Sequence, residues 1–232
     1  MWSTLFPPIC LGCERLLRHD RPLALCSRCG PEQARLPDPL CEQHGIRAIW
    51  AYDGPLGRAV SAMKFAGAQA LAGPLGRLLA QDPRLRTNAD GAAWDIAVAV
   101  PLHWRRRLLR GFDQSQALLH WALEHAAGDG APLPTPSRPL RRLRATRPQS
   151  SLDADNRQAN VHRAFAVIRA SSIEGRRVLL VDDVATTGAT LAACRAVLLD
   201  AGAVEVGALA LLRAESSAPQ TSGPPADDHP SR

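Results

Sequence analysis

Apolar positions in this chain change their spacing along its length, and the changes mark out its elements. Gly45 to Tyr52 reads as a short strand. Pro55 to Phe65 then places Leu56, Val60 and Met63 at helical intervals, and Leu71 to Leu79 suggests a second helix. Asp82 to Trp94, rich in Pro, Asn, Asp and Gly, predicts a surface loop. The unbroken run Asp95-Ile96-Ala97-Val98-Ala99-Val100 ends at Pro101, as in a strand covered on both faces. Asp113 to Ala126 returns to helical spacing, and Gly128 to Pro139, with its prolines, predicts a linker or loop.

Beyond it the pattern becomes repetitive. Arg141 to Asn160 is polar, basic and poor in apolar residues, which predicts a mobile segment without core contacts. Phe165 to Ile168, Val178 to Val181, a helix over about Thr187 to Leu199, and Val204 to Leu212 then give strand, strand, helix, strand. That alternation argues for an α/β fold, a parallel sheet with helices on its faces. The organisation expected is a small module over residues 1–45, a main domain over 46–213 and a disordered tail over 214–232.

Composition adds compartment and charge. At 232 residues and 46% hydrophobic the chain can bury a sizeable core. No run approaches the roughly 18 apolar residues of a membrane span, and the start MWSTLFPPICLGC lacks a signal peptide's basic and apolar pattern, so we expect a cytoplasmic protein with no membrane partner. Of the six cysteines, Cys10, Cys13, Cys26, Cys29 and Cys41 fall near the start. In a reducing compartment such clustering favours metal over disulfides. Cys10-x2-Cys13 and Cys26-x2-Cys29, twelve residues apart, supply the four thiolates of a structural zinc ribbon. Cys41 and His44 leave two options open, a spare ligand pair or a plain thiol. Cys194, among Leu191, Val197 and Leu198, reads as a small core residue.

Net charge is +6, carried by arginine, since Lys64 is the only lysine. Trp104-Arg105-Arg106-Arg107-Leu108-Leu109-Arg110 and the set Arg138, Arg141, Arg142, Arg144 and Arg147 are dense enough to attract phosphates, or form solvated basic faces.

The most informative stretch is VLLVDDVATTGAT, residues 178 to 190. In a parallel sheet, ligands gather beyond the carboxyl ends of the strands, where Asp182 and Asp183 would emerge. The small residues Ala185, Thr186, Thr187, Gly188, Ala189 and Thr190 let backbone N–H groups approach an anion at a helix N-terminus. Carboxylates beside a phosphate require a ligand with hydroxyls or a metal between its charges, and a phosphorylated ribose meets that requirement. Its 5′-phosphate would sit on the Thr186 to Thr190 turn and its 2′- and 3′-hydroxyls would donate to Asp182 and Asp183. A nucleotide hydrolase would need G-x-x-x-x-G-K-[ST], and a dinucleotide site G-x-G-x-x-G; neither occurs. Capping alone explains Thr187 or Thr190 singly, not paired acids followed by Thr-Thr-Gly.

This stretch resembles the phosphoribosyl pyrophosphate (PRPP) motif of type I phosphoribosyltransferases. Tyr52-Asp53-Gly54-Pro55-Leu56, Met63-Lys64-Phe65, Val100-Pro101-Leu102-His103, Arg110-Gly111-Phe112-Asp113-Gln114, Thr146-Arg147-Pro148-Gln149 and Arg157-Gln158-Ala159-Asn160-Val161 resemble one branch of it, the competence-associated ComF family, over about residues 5 to 212. Asp113 stands where that family's pattern has asparagine, a departure expected to leave the fold unchanged.

The resemblance implies a type I phosphoribosyltransferase fold with an N-terminal zinc-ribbon module. It also implies PRPP bound as its Mg²⁺ complex, a pyrophosphate loop over Leu102, His103, Arg105, Arg106 and Arg107, and a flexible closing loop over 141–160. His103 has two open roles, pyrophosphate contact or loop capping, and Lys64 has two, a ligand contact or a surface position. Two functions follow. One is transfer of phosphoribosyl to a nitrogen acceptor. The other is a non-catalytic DNA-uptake factor that binds single-stranded DNA, a competence helicase or processing proteins, with PRPP as regulator. Only Trp104 and Phe112 flank the arginine cluster as aromatics for base stacking.

Overall fold

The computed structural model describes residues 9–17, 25–37, 41–43, 45–103, 108–143 and 164–214. In chain order the strands are β1 (Glu42–Gln43), β2 (Ile46–Ala51), β3 (Ile96–Ala99), β4 (Thr135–Ser137), β5 (Leu140–Arg142), β6 (Phe165–Val167), β7 (Arg177–Ala185) and β8 (Glu205–Arg213). The helices used below are α1 (Cys29–Glu32), α2 (Pro55–Phe65), α3 (Ala72–Leu79), α4 (Gln114–Ala126) and α5 (Ala189–Asp200).

Six strands form one sheet in the order β1-β2-β8-β7-β3-β4. All neighbours run parallel except β1, which pairs antiparallel with β2. The apolar run of β7 explains its central place, because alternate side chains feed two cores. Leu179 and Val181 join Leu56, Val60 and Met63 of α2, Leu75, Leu78 and Leu79 of α3, and Leu118, Leu119 and Ala122 of α4. Val178 and Leu180 face Leu191, Cys194 and Leu198 of α5 on the other side. A strand covered on both faces has no polar alternation to show, which is why it reads as continuous apolar sequence. Cys194 lies in this second core as the sequence suggests, and burial pushes its thiol up.

The sequence-based expectations need three corrections. Phe165 to Val167 is a strand, but it pairs antiparallel with β5 in a separate two-stranded ribbon rather than extending the parallel sheet. Arg141 and Arg142, assigned to the mobile segment, belong to that ribbon; residues 144–163 lie outside the described residues. Within the expected linker, Thr135–Ser137 adds a parallel edge strand to β3. Pro136 is tolerated there because an edge strand has one side without a partner for a missing N–H.

The cysteine-bearing segment is not isolated from the main fold. Cys10, Leu11, Leu25, Cys26 and Cys29 pack into the same core as Leu56 and Val60. A Cβ added at Gly12 would stand 2.6 Å from that of Pro55, so only glycine fits this approach to the start of α2. Among the described residues no helix is long and apolar enough to cross a membrane.

Candidate functional site

β3 continues through α4 to β4 on one side, whereas β7 continues through α5 to β8 on the other, and the two helices cover opposite faces. Chains leaving adjacent parallel strands in opposite directions open a crevice at the strands' carboxyl ends. A cavity of about 440 Å³ lies there. Its wall includes Val100, Pro101 and Leu102 after β3, Gln114 and Ser115 of α4, Lys64 and Phe65 of α2, and Asp182, Asp183, Thr186 and Thr190 from β7 onward.

The acids sit deeper than a strand-end position would suggest. β7 runs through Ala185, so Asp182 still pairs with Ala210 of β8. Ser115 Oγ donates to Asp182 Oδ1 at 2.8 Å, and the Asp183 N–H donates to the same oxygen at 2.9 Å. Burial, reinforced by the neighbouring Asp183 carboxylate, pushes the Asp182 carboxyl up to about 7, while Ser115, the Asp183 N–H and Lys64 act in the opposite direction.

Asp183 is 3% exposed. Lys64 Nζ lies 3.0 Å from its Oδ1, and both side chains are largely buried. Asp183 Oδ2 is buried with no hydrogen-bond partner, and so is Oε1 of Gln114. Two acceptors of the same cavity therefore lack donors. Buried polar atoms are seldom left this way, so a ligand with hydroxyl or N–H groups suits them.

The turn after β7 places its residues unequally. Thr186 and Thr190 line the cavity, whereas the Ala185 side chain is in the core. Thr187 is exposed, and its Oγ1 accepts from the Ala189 N–H at 3.4 Å. Gly188 caps α5 with φ of 75°, a left-handed conformation that a side chain would strain.

On the β3 side, Leu102 lines the cavity. His103 is buried with interactions of its own, and Arg105, Arg106 and Arg107 lie outside the described residues. Asp113 caps α4 by accepting from the Gln116 N–H at 3.3 Å, and its other oxygen accepts from the Leu102 N–H at 3.3 Å. Asparagine could keep the capping contact through its single amide oxygen but could not also accept from the Leu102 N–H, so the aspartate adds one tie between the chain after β3 and the start of α4. Sequence reasoning missed Ser115 and Gln114 as wall residues. Their only signal was position, the first two residues of a helix that begins beside the sheet's edge.

The second cluster lies at the opposite end of α2. The sulfurs of Cys10, Cys13, Cys26 and Cys29 all lie within 4.8 Å of one another. Amide N–H groups of Gly12 and Cys26 point to Cys10 Sγ at 3.4 and 3.3 Å, and that of Cys29 points to Cys26 Sγ at 3.4 Å. Such donors favour thiolate, the ligand form. The Cys29 N–H leads the influences that bring the Cys26 thiol down to about 6, while burial and the surrounding sulfurs push Cys29 up to about 12. Four sulfurs this close need a cation to ionise together, and a tetrahedral S₄ set fits zinc. Cys41 is elsewhere, its Sγ donating to the Leu36 carbonyl at 3.0 Å; His44 lies outside the described residues.

Gln33, next to α1, ties the cysteine-bearing segment to the start of α2 and the end of β2. Its Oε1 accepts from the Leu56 N–H at 2.8 Å, and its Nε2 donates to the Ala51 carbonyl at 3.0 Å. It thereby satisfies a backbone donor of the first turn of α2.

Comparison with known proteins agrees with this architecture. A family model described as a phosphoribosyl transferase domain matches residues 143–226. The chain is 34% identical to the DNA utilization protein YhgH of Salmonella typhimurium over 217 residues, 88% of this chain and 90% of that protein. It is 28% identical to competence protein F of Haemophilus influenzae over 222 residues, 89% and 90% of the two. The B. subtilis glutamine PRPP amidotransferase superposes with a TM-score of 0.40 at 22% identity, over 61% of this chain and 26% of that one, a likeness too slight to carry weight. A third of the residues shared along nearly the whole length of such a relative, above a parallel α/β sheet with a phosphoribosyltransferase-type domain and a four-cysteine cluster, places the chain in the ComF family.

Proposed function

We propose that this protein binds PRPP across the carboxyl ends of β3 and β7 and transfers its phosphoribosyl group to a nitrogen acceptor, in the service of DNA uptake. The observation that carries the reading is the donor-starved floor of the cavity, where Asp183 Oδ2 and Gln114 Oε1 are buried without partners beside Asp182. A ribose diol supplies hydroxyl donors, and charge-assisted hydrogen bonds to carboxylates are among the stronger ones. The 5′-phosphate takes the turn formed by Ala185, Thr186, Thr187, Gly188 and Thr190, with Thr186 and Thr190 facing it. The pyrophosphate takes Leu102, His103 and the arginines 105 to 107.

Mg²⁺ fits the hard oxygens of Asp182 and Asp183 and would supply neutralising charge for the pyrophosphate as it leaves. In the transfer, the C1–N bond forms as the C1–O bond breaks, and the bonding pair departs with pyrophosphate. The residues of the cavity hold the sugar, orient C1 and keep water away. Zinc on Cys10, Cys13, Cys26 and Cys29 would cross-link the first cysteine pair to the pair that leads into α1, in a segment that packs against α2. A second reading, a non-catalytic DNA-uptake factor regulated by PRPP, draws support from the names of the DNA utilization and competence relatives. Pyrophosphate release from PRPP on adding acceptor separates the two.

The proposal is tested by titrating PRPP with Mg²⁺ into wild type and the Asp182→Asn and Asp183→Asn variants. Each carboxylate hydrogen bond lost should weaken binding about tenfold or more. Equal affinity in all three proteins would remove the ribose assignment.

A further inference from the structure

The last two residues of α2 have opposite fates. Lys64 turns inward to Asp183, while Phe65 is 77% exposed. The helix explains the divergence. Met63 is fully buried, and two residues further on, at ~100° per residue, a side chain points to the other side. Phe65 nevertheless belongs to the wall of the cavity that holds the acid pair. The Arg110 guanidinium stands 5.0 Å from its ring centroid, and Arg110 lines the same cavity. Leu108 and Leu109, in the same helical segment as Arg110, are 73% and 87% exposed.

We infer that Phe65 and Arg110 form a stacking platform for an unpaired nucleobase at the mouth of the cavity. The inference rests on the phosphoribosyl reading only in that the base would then lie beside the bound sugar, as its acceptor. An anion alone would engage Arg110 and leave the ring in water. An aliphatic ligand would cover the ring without using the cation. A planar heteroaromatic ring uses both, through its π-face on phenylalanine and through the guanidinium beside it. The base can come free in solution or from a single strand, and both present the same face.

2-Aminopurine, whose fluorescence is quenched by stacking, serves as the probe. It is titrated as the free base and within a short single-stranded deoxyoligonucleotide, against full-length wild type, Phe65→Leu and Phe65→Tyr. An abasic copy of the oligonucleotide is the competitor. Saturable quenching is expected in at least one arm, weakened about fivefold or more in Phe65→Leu and restored in Phe65→Tyr, with the abasic strand a poor competitor. Leucine keeps apolar bulk and loses only the flat face. Quenching by the free base assigns a small-molecule acceptor; quenching in the strand alone assigns nucleic acid. No quenching in either arm, equal binding by Phe65→Leu, or full competition by the abasic strand would overturn the inference. PRPP titration of wild type is run in parallel. If PRPP does not bind while Phe65-dependent quenching persists, the transfer reading falls and the platform stands.

Discussion

Removing the metal from the four-cysteine cluster, by chelation or by Cys26→Ser with Cys29→Ser, is expected to lower thermal stability sharply and to weaken PRPP binding at the far end of α2. Structural zinc sites contribute on the order of 10 kcal/mol or more of binding free energy, comparable to the whole stability of a domain. The loss cannot stay local. Cys10, Cys26 and Cys29 pack in the same core as Leu56 and Val60. Gly12 abuts Pro55, and Gln33 holds both the Leu56 N–H and the Ala51 carbonyl. Once the cluster opens, the first turn of α2 loses its cap, and the helix that carries Lys64 to Asp183 is no longer fixed at its start. Thermal melting with and without chelator, followed by PRPP titration of the chelated protein, checks both parts. An unchanged melting midpoint would show that the sulfurs hold no structural ion.

The acid pair should make stability depend on pH in an unusual direction. Free aspartate titrates near 3.8, and in the fold the Asp182 carboxyl rises to about 7. Between those values the folded protein holds a proton that the unfolded chain has released. The stabilisation linked to that proton is fully present below about pH 4 and is lost as pH rises through 7. Asp182→Asn removes the titration while its amide oxygen can still accept from Ser115 and the Asp183 N–H. The variant should gain on the order of 2 kcal/mol over wild type at pH 8, a figure discounted for partial exposure, and much less at pH 5.

Lys64→Met should do the reverse. It leaves Asp183 buried without its counter-charge and removes one of the influences that lower the Asp182 carboxyl, at a cost of about 3 kcal/mol. Adding Asp183→Asn should recover part of that loss. Denaturant unfolding at the two pH values measures all of this. Parallel pH profiles for wild type and Asp182→Asn would contradict the proton-holding state of Asp182.

What could be read from sequence was whatever the local pattern records. The Pro55 to Phe65 helix is found over those residues, and the helix expected from Asp113 begins at Gln114 because Asp113 is its cap. The strand expected over Asp95 to Val100 is observed at Ile96–Ala99, since burial on both faces leaves an unbroken apolar signature. Partnership is what the pattern omits. Phe165 to Val167 was legible as a strand but not as a member of a separate antiparallel ribbon. Thr135–Ser137 was hidden by Pro136, which an edge position accommodates.

The same limit applies within the site. The adjacent acids and the small-residue turn stand out in one short stretch, and the cavity lies against them. Lys64 remained balanced between surface and function, because its burial depends on a carboxylate on β7, far along the chain. Ser115 gives no local sign that its hydroxyl meets Asp182. The arginines at 105–107 and residues 144–160 of the expected closing loop lie outside the described residues, so their assignment rests on the family resemblance.

A crystal structure of the protein grown with PRPP and Mg²⁺ asks the central question without intermediaries. It should show the ribose hydroxyls on Asp182 and Asp183, the 5′-phosphate on the turn from Thr186 to Thr190, and a partner at last for Asp183 Oδ2. An empty cavity at saturating PRPP, or the sugar bound elsewhere with both carboxylates still donor-poor, would contradict it.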